Sequence, residues 1–391
     1  MLNYKEAQQI ISGLAKSFGQ ETVVLDEAFE RVLSEQIYTD RDYPPFNRAT
    51  MDGYAINFKD WESGTRNYKI KEVVFAGQRY AQSISSGECY KIMTGASVPP
   101  NADLVIRRED ATETNHKVSF NVETVKAFQN IAKKGEDIQA DTCIIDHNCA
   151  CTPSVIALLA SVGKAKVAVE KLPKVALFTT GDELVEPGQP VSDIQIRNSN
   201  QYLLKSLLKA WQIKPNIYKH ILDDKAQLKQ EISAALNLDM VILCGGVSAG
   251  DADYVPEILE SLGVKKLFHK VKIKPGKPIW CGQLPSGGLV FALPGNPFSC
   301  HVTFKLFIEH YLKTCFGLKE KELPMLLLSA QKPKKTPFDE FFPVIINQEV
   351  TPVLFNSSGD VKAALQANAI ALHPADAQDL QTGYPVAFHT I

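Results

Sequence analysis

The chain has 391 residues, enough for two to four domains at about 100–200 residues each. Lysine and arginine number 42 against 44 aspartate and glutamate, and this near balance excludes a polybasic nucleic-acid binder and an acidic disordered protein. No apolar run approaches the ~18 residues of a membrane span, so neither nucleic acid nor a membrane is expected as a partner.

The N-terminal segment places Ala7, Ile10, Ile11, Leu14 and Phe18 at helical spacing, which predicts a helix over 3–18. Glu6, Gln8 and Gln9 interrupt it where an export signal would need an apolar core. A short helix is expected from Asp26, and Tyr43-Pro44-Pro45-Phe46 then stops any helix. Residues 46–142 carry short β-rich runs separated by Gly, Pro and Asn, and Pro153–Val162 returns to helix. Residues 173–315 alternate strand and helix, which predicts a parallel sheet whose ligands bind at the carboxyl ends of its strands. The predicted strands are 174–179, 216–222, 239–244, 279–281 and 289–293; the predicted helices run from Asn198 or Ser199 to Trp211, and over 225–236, 255–262 and 297–311. Lys332–Lys335, in KPKKTP, reads as a solvated linker loop, with an anion-binding patch as the alternative, and 338–391 as short β runs.

The expected fold is therefore a multidomain α/β protein. Its parts are a helical N-terminal linker domain (1–45 plus 143–172), an inserted β-rich domain (46–142), a central αβ domain with a mostly parallel sheet (173–316) and a small β-rich C-terminal domain (323–391). The eight cysteines include no CxxC pair, and they read as buried small apolar residues in a reducing cytoplasm. Cys149-Ala-Cys151 is the close couple for which a redox or metal role is the lesser reading.

Seven motifs suit a phosphorylated or otherwise anionic ligand with Mg²⁺. Met51-Asp52-Gly53 is a tight turn, alternatively an Asx turn in which Asp52 bonds its own backbone. Thr94-Gly95-Ala96 offers N–H groups and a hydroxyl to an anion, or is a plain loop, and KKGEDIQ (133–139) is alternatively an exposed charged turn. Thr179, Thr180 and Gly181 can donate to phosphate, and Asp182 and Glu183 suit a hard cation. Gly245 and Gly246, with Val247 and Ser248, allow close backbone approach to a phosphate, and Asp251 and Asp253 are helix caps or, alternatively, serve as metal ligands or a general base. Lys270, Lys272 and Lys274 alternate and are expected on one strand face, where a bound anion relieves their repulsion. Gly295 and Asn296 stand at another strand-to-helix mouth, with Asn296 a candidate cap and Pro297 at the first helical position.

The ordered set MDGYA, TGA, GEDI, TGDEL–PGQ, GGVS–GDADY, KPGKP and LPGNP closely resembles the molybdopterin molybdenumtransferases, the MoeA family, over roughly residues 1–315. The αβ part is also similar to the molybdopterin adenylyltransferases and the gephyrin-type proteins. The resemblance implies an elongated cytoplasmic homodimer, with the site between the αβ domain of one subunit and the β domain of the other. It implies that the enzyme inserts molybdate into adenylylated molybdopterin with Mg²⁺, releasing AMP and molybdenum cofactor. It carries site roles to Asp52, Thr94, Asp137, Glu183, Asp223, Asp253, Lys270, Lys274, Pro294 and Pro297. Within that frame Glu183 and Asp253 hold the metal, and Lys270, Lys274 and Lys277 hold the pterin phosphate or molybdate. The turns at Thr180–Gly181, Gly245–Gly246–Val247–Ser248 and Gly295–Asn296 clamp phosphates. Two departures stand out: Asn47 replaces a frequent aspartate, and Ala132 replaces an arginine whose anion contact must be lost or taken over by Lys133 or Lys134. The C-terminal segment matches only loosely, so no ligand contact is assigned to Ser357 or Ser358. Two competing readings are the adenylyltransferase step of the same pathway, whose enzyme is also a possible partner, and a non-catalytic scaffold.

Overall fold

The computed structural model describes residues 1–78, 82–247, 254–319 and 322–391. The chain forms two compact units: residues 36–147 with 157–165, and the remainder. No helix among the described residues is long and apolar enough to cross a membrane.

In the larger unit the central sheet runs in the order Ile217–Ile221, Val175–Thr180, Met240–Cys244, Leu289–Leu293, Trp280–Gln283, Lys265–His269. The first four strands are parallel and the last two are antiparallel, so the sheet is mixed. Every residue of VALFTT, MVILC and LVFAL is buried, as parallel strands covered on both faces require. Alternation divides them: Val175 and Leu177 join one core, and Ala176 and Phe178 the other. Leu204 and Leu208 of helix Ser199–Lys209 pack on the first face; Leu228 and Ile232 of helix Lys225–Ala234 pack on the second.

The N-terminal helix is shorter than predicted. It runs Tyr4–Ser12 behind an Asn3/Glu6 capping box and ends at Gly13. Leu14 and Phe18 still reach the core, and Phe18 meets the Tyr311 and Phe316 rings edge-on. From Asp26 there is only a single 3₁₀ turn, Leu25–Glu27. The last helix of this part continues from Pro297 to Cys315, but its middle turn, Phe304–Ile308, is π-helical.

Lys270, Lys272 and Lys274 do not share one strand. Strand Lys265–His269 ends where Lys270 takes a φ of 66°, and Ile273–Lys274 instead pairs with Asp339–Ile346. Lys272 and Lys274 remain exposed between buried Val271 and Ile273, so alternation holds for two of the three. The sheet they join also contains Ala369–His373, Pro385–Thr390 and Met325–Leu327. The KPKKTP segment is not a solvated linker. Lys332 pairs with buried Glu340 at 3.2 Å, and Lys334 Nζ donates to the carbonyls of Phe338, His373 and Pro374. Of the eight thiols, Cys143 is exposed, Cys149 half-buried and the other six buried.

The smaller unit is built on a six-stranded sheet in the order Leu104–Arg107, Gly53–Ile56, Glu88–Ile92, Asn67–Val74, Lys117–Phe120, Ala111–Thr114. Gly53 lies so close to the Ile106 carbonyl of the neighbouring strand that a Cβ would collide with it.

Candidate functional site

The predicted residues divide between the units. In the smaller one, Asp52 Oδ1 accepts from both the backbone N and the Oγ1 of Thr94, each at 2.7 Å. Asp52 therefore bonds across to the second motif, and the Asx-turn alternative does not describe it. The Thr94 backbone bond, then its hydroxyl, hold the Asp52 carboxyl below the usual carboxylate range, with Arg108 adding to the effect. Asp137 is exposed, and its N–H donates to the Tyr43 carbonyl at 3.1 Å. Asn47 Oδ1 accepts from Lys134 N at 2.9 Å, a bond an aspartate would also make. Ala132 is buried opposite Arg48; Lys133 lies over the Phe128 ring at 4.0 Å and Lys134 pairs with Asp42 at 3.3 Å.

In the larger unit the carboxyl ends of three adjacent parallel strands carry three of the motifs: Thr180–Gly181, Gly245–Gly246 and Pro294–Pro297. Gly245 has a φ of 106°, and a Cβ there would lie 2.6 Å from the Thr180 carbonyl oxygen, so only glycine fits. The Thr180 hydroxyl is buried beneath this turn and has no hydrogen-bond partner among the described residues. Thr179 accepts from Asn198 Nδ2 at 2.8 Å and so anchors the start of helix Ser199–Lys209. Glu183 folds back over Gly181, where a Cβ would come within 2.5 Å of its Oε2. Asp182 Oδ1 accepts from Asp223 N at 3.0 Å, tying together the loops that follow two neighbouring strands. Ser248, Asp251 and Asp253 lie outside the described residues.

Among the described residues no group of three or more His, Cys, Asp or Glu side chains is arranged to hold a metal ion. Mg²⁺ commonly binds through one or two carboxylates plus substrate phosphates, and the exposed hard oxygens of Glu183 suit that mode.

Lys274 and Lys277 line a cavity of about 460 Å³ together with Asn296, Lys335, Ser357 and Ser358. The last three come from the C-terminal segment, and the sequence reading did not assign the serines. Asn296 Nδ2 donates to Ser358 Oγ at 2.9 Å, and the Ser358 carbonyl accepts from Phe298 N at 3.0 Å. Burial pushes the Glu340 carboxyl up, but bonds from Thr336 and Lys335 N together with the Lys332 charge carry it below the usual range. Lys332 is thus matched by Glu340, while Lys274, Lys277 and Lys335 give the cavity positive charge. Lys270 is absent from its lining.

A model of the MoeA N-terminal region (domains I and II) matches residues 2–163, and a model of a probable molybdopterin-binding domain matches 176–314. The molybdopterin molybdenumtransferase of Staphylococcus aureus is 31% identical over 394 residues, covering 98% of this chain and 94% of that protein. Its namesake in Staphylococcus epidermidis is 32% identical over 372 residues, covering 92% and 88%. The crystal structure of a molybdopterin biosynthesis MoeA protein from Pyrococcus horikoshii matches with a TM-score of 0.85 at 28% identity over the whole of both chains. The chain belongs to the molybdopterin molybdenumtransferase family.

Proposed function

We propose that this chain inserts molybdate into adenylylated molybdopterin with Mg²⁺, releasing AMP and molybdenum cofactor, as a cytoplasmic homodimer. The observation that carries the reading is the lysine-lined cavity beside the Pro294–Pro297 turn, next to strand ends that carry the phosphate-suited glycines. Lys274 and Lys277 hold the molybdate oxyanion by charge and by N–H donors. The turns at Gly181, Gly245–Gly246 and Gly295–Asn296 hold the substrate phosphates through backbone N–H groups, and Glu183, with Asp253, supplies carboxylate to Mg²⁺. When bound, Mg²⁺ neutralises charge that develops as the link to AMP breaks. The sulfurs that take the molybdenum belong to the substrate. In a homodimer whose site is shared between subunits, Asp52, Thr94 and Asp137 serve the partner's αβ face; Lys270 and Asp223 act from the rim.

The match of residues 2–163 to the MoeA N-terminal region favours this step over adenylylation of molybdopterin. The test is to incubate the purified protein with adenylylated molybdopterin, molybdate and Mg²⁺ and measure AMP and cofactor. Equal yields of the two are expected. No AMP, together with pyrophosphate release from molybdopterin and ATP, sinks the reading in favour of the adenylyltransferase.

A further inference from the structure

Pro294 and Pro297 carry no N–H, so the turn between them offers a ligand only two backbone donors, those of Gly295 and Asn296. What sets the direction of the second donor is a side chain from another element. Asn200 lies in the first turn of helix Ser199–Lys209, whose start is locked by Asn198: its Oδ1 accepts from Gln201 N, and its Nδ2 donates to Thr179. From that base Asn200 Nδ2 reaches the Gly295 carbonyl at 2.6 Å and Cys244 Sγ at 3.3 Å. The Cys244 thiol lies 3.6 Å from the Pro294 carbonyl and 3.8 Å from Cys300 Sγ. One carboxamide therefore ties the turn to the end of strand Met240–Cys244, and Cys244 in turn reaches the helix that follows the turn.

The peptide joining Gly295 to Asn296 is planar, so its N–H points opposite to its C=O. Holding the Gly295 carbonyl inward on Asn200 turns the Asn296 N–H the other way, at a position where both residues are exposed. The amide orientation of Asn200 is fixed, because the carbonyl only accepts. Among the described residues its Oδ1 is left buried without a partner. An apolar residue would avoid that cost, so the donor nitrogen has a use that outweighs it.

We infer that Asn200 is a positioning residue that aims the Asn296 N–H at the phosphate of the substrate. This rests on the reading of the site given above. The test compares Asn200→Ala and Asn200→Asp with wild type in two assays: equilibrium dialysis with AMP, and molybdenum insertion. At pH 8 both variants bind AMP about tenfold more weakly, the scale of one lost charge-assisted hydrogen bond. The aspartate variant sets a carboxylate against the Gly295 carbonyl, but on protonation it regains an O–H donor there. Desolvation beside a carbonyl pushes that carboxyl above the ordinary aspartate range of about 4, so relative to wild type at the same pH Asn200→Asp begins to recover AMP binding as pH falls from 8 to 5, whereas Asn200→Ala does not. Cys244 is the titratable side chain recorded in contact with this position. A merely structural role would move both variants alike at each pH. Unchanged AMP affinity in both variants, the same pH profile in the two, or no AMP binding by wild type overturns the inference. A wild type that binds AMP with the expected variant pattern yet inserts no molybdenum leaves Asn200 in its role and sinks the proposed reaction instead.

Discussion

The Asp52 turn and the Lys274 cavity treat charge in opposite ways. Asp52 is answered by its own chain, through two donors from Thr94 at 2.7 Å each. Lys274 and Lys277 face a cavity of about 460 Å³, where Glu340 is already committed to Lys332, Lys335 N and Thr336. A carboxylate held ionised by local bonds suits a fixed orienting charge. A lysine wall without a matching anion suits an oxyanion ligand.

The largest expected effect comes from emptying that wall. Lys274→Ala lowers molybdenum insertion about 100-fold, as loss of a preorganised charge does elsewhere, and single-turnover assays at saturating pterin substrate read it. Because Lys274 is exposed, the melting temperature should stay near that of wild type. Activity within a factor of two of wild type would break the contrast.

Acid separates the two regions next. Burial, followed by the nearby Lys305 charge, pushes both His301 and His389 down to about 4. The unfolded chain takes up these protons near pH 6.5, so stability is complete above that value and is lost as pH falls toward 4. At pH 5 each imidazole costs the larger unit about 2 kcal/mol. His301→Leu should flatten the pH dependence of the urea midpoint, because neither ring nitrogen of His301 has a hydrogen-bond partner among the described residues. For Asp52 the sign is the same but the window lies lower. Its pKa is lowered, so its contribution is present above the ordinary aspartate value and fades only in stronger acid. A midpoint that does not change between pH 7 and pH 5 would contradict the histidine assignment.

The smallest effect belongs to Asp52→Asn, which keeps an acceptor for Thr94 but removes the charge. About a tenfold fall in turnover with the fold intact is expected, since hydrogen bonds to ionised groups are worth roughly twice neutral ones. Thr94→Ser should behave as wild type in the same assay, because it retains both donors.

Much of the fold was legible in the sequence for a physical reason. Strands covered on both faces must be apolar throughout, so VALFTT, MVILC and LVFAL announced the parallel sheet, and the glycine turns fell at its carboxyl edge. KVKIK misled because alternating lysines look like one strand face, whereas Lys270 adopts a left-handed conformation and Lys274 joins a different sheet. KPKK looked solvated because the burial of Glu340, 8 positions from Lys332, leaves no mark in the local sequence, and two of the carbonyls that bind Lys334 lie 39 and 40 positions away. The cavity wall was the least legible part. Asn296 and Ser358 are 62 positions apart, and a contact between two short polar side chains leaves no periodic trace. Asn200 escaped for the same reason: its role lies in a bond to a carbonyl 95 positions away.

The most direct test of the central claim is a crystal of this protein soaked with molybdate and measured at the molybdenum absorption edge. The account predicts an anomalous peak in the cavity between Lys274 and Lys277, absent in Lys274→Ala. A peak elsewhere on the molecule with that cavity empty, or one that survives Lys274→Ala undiminished, would contradict it.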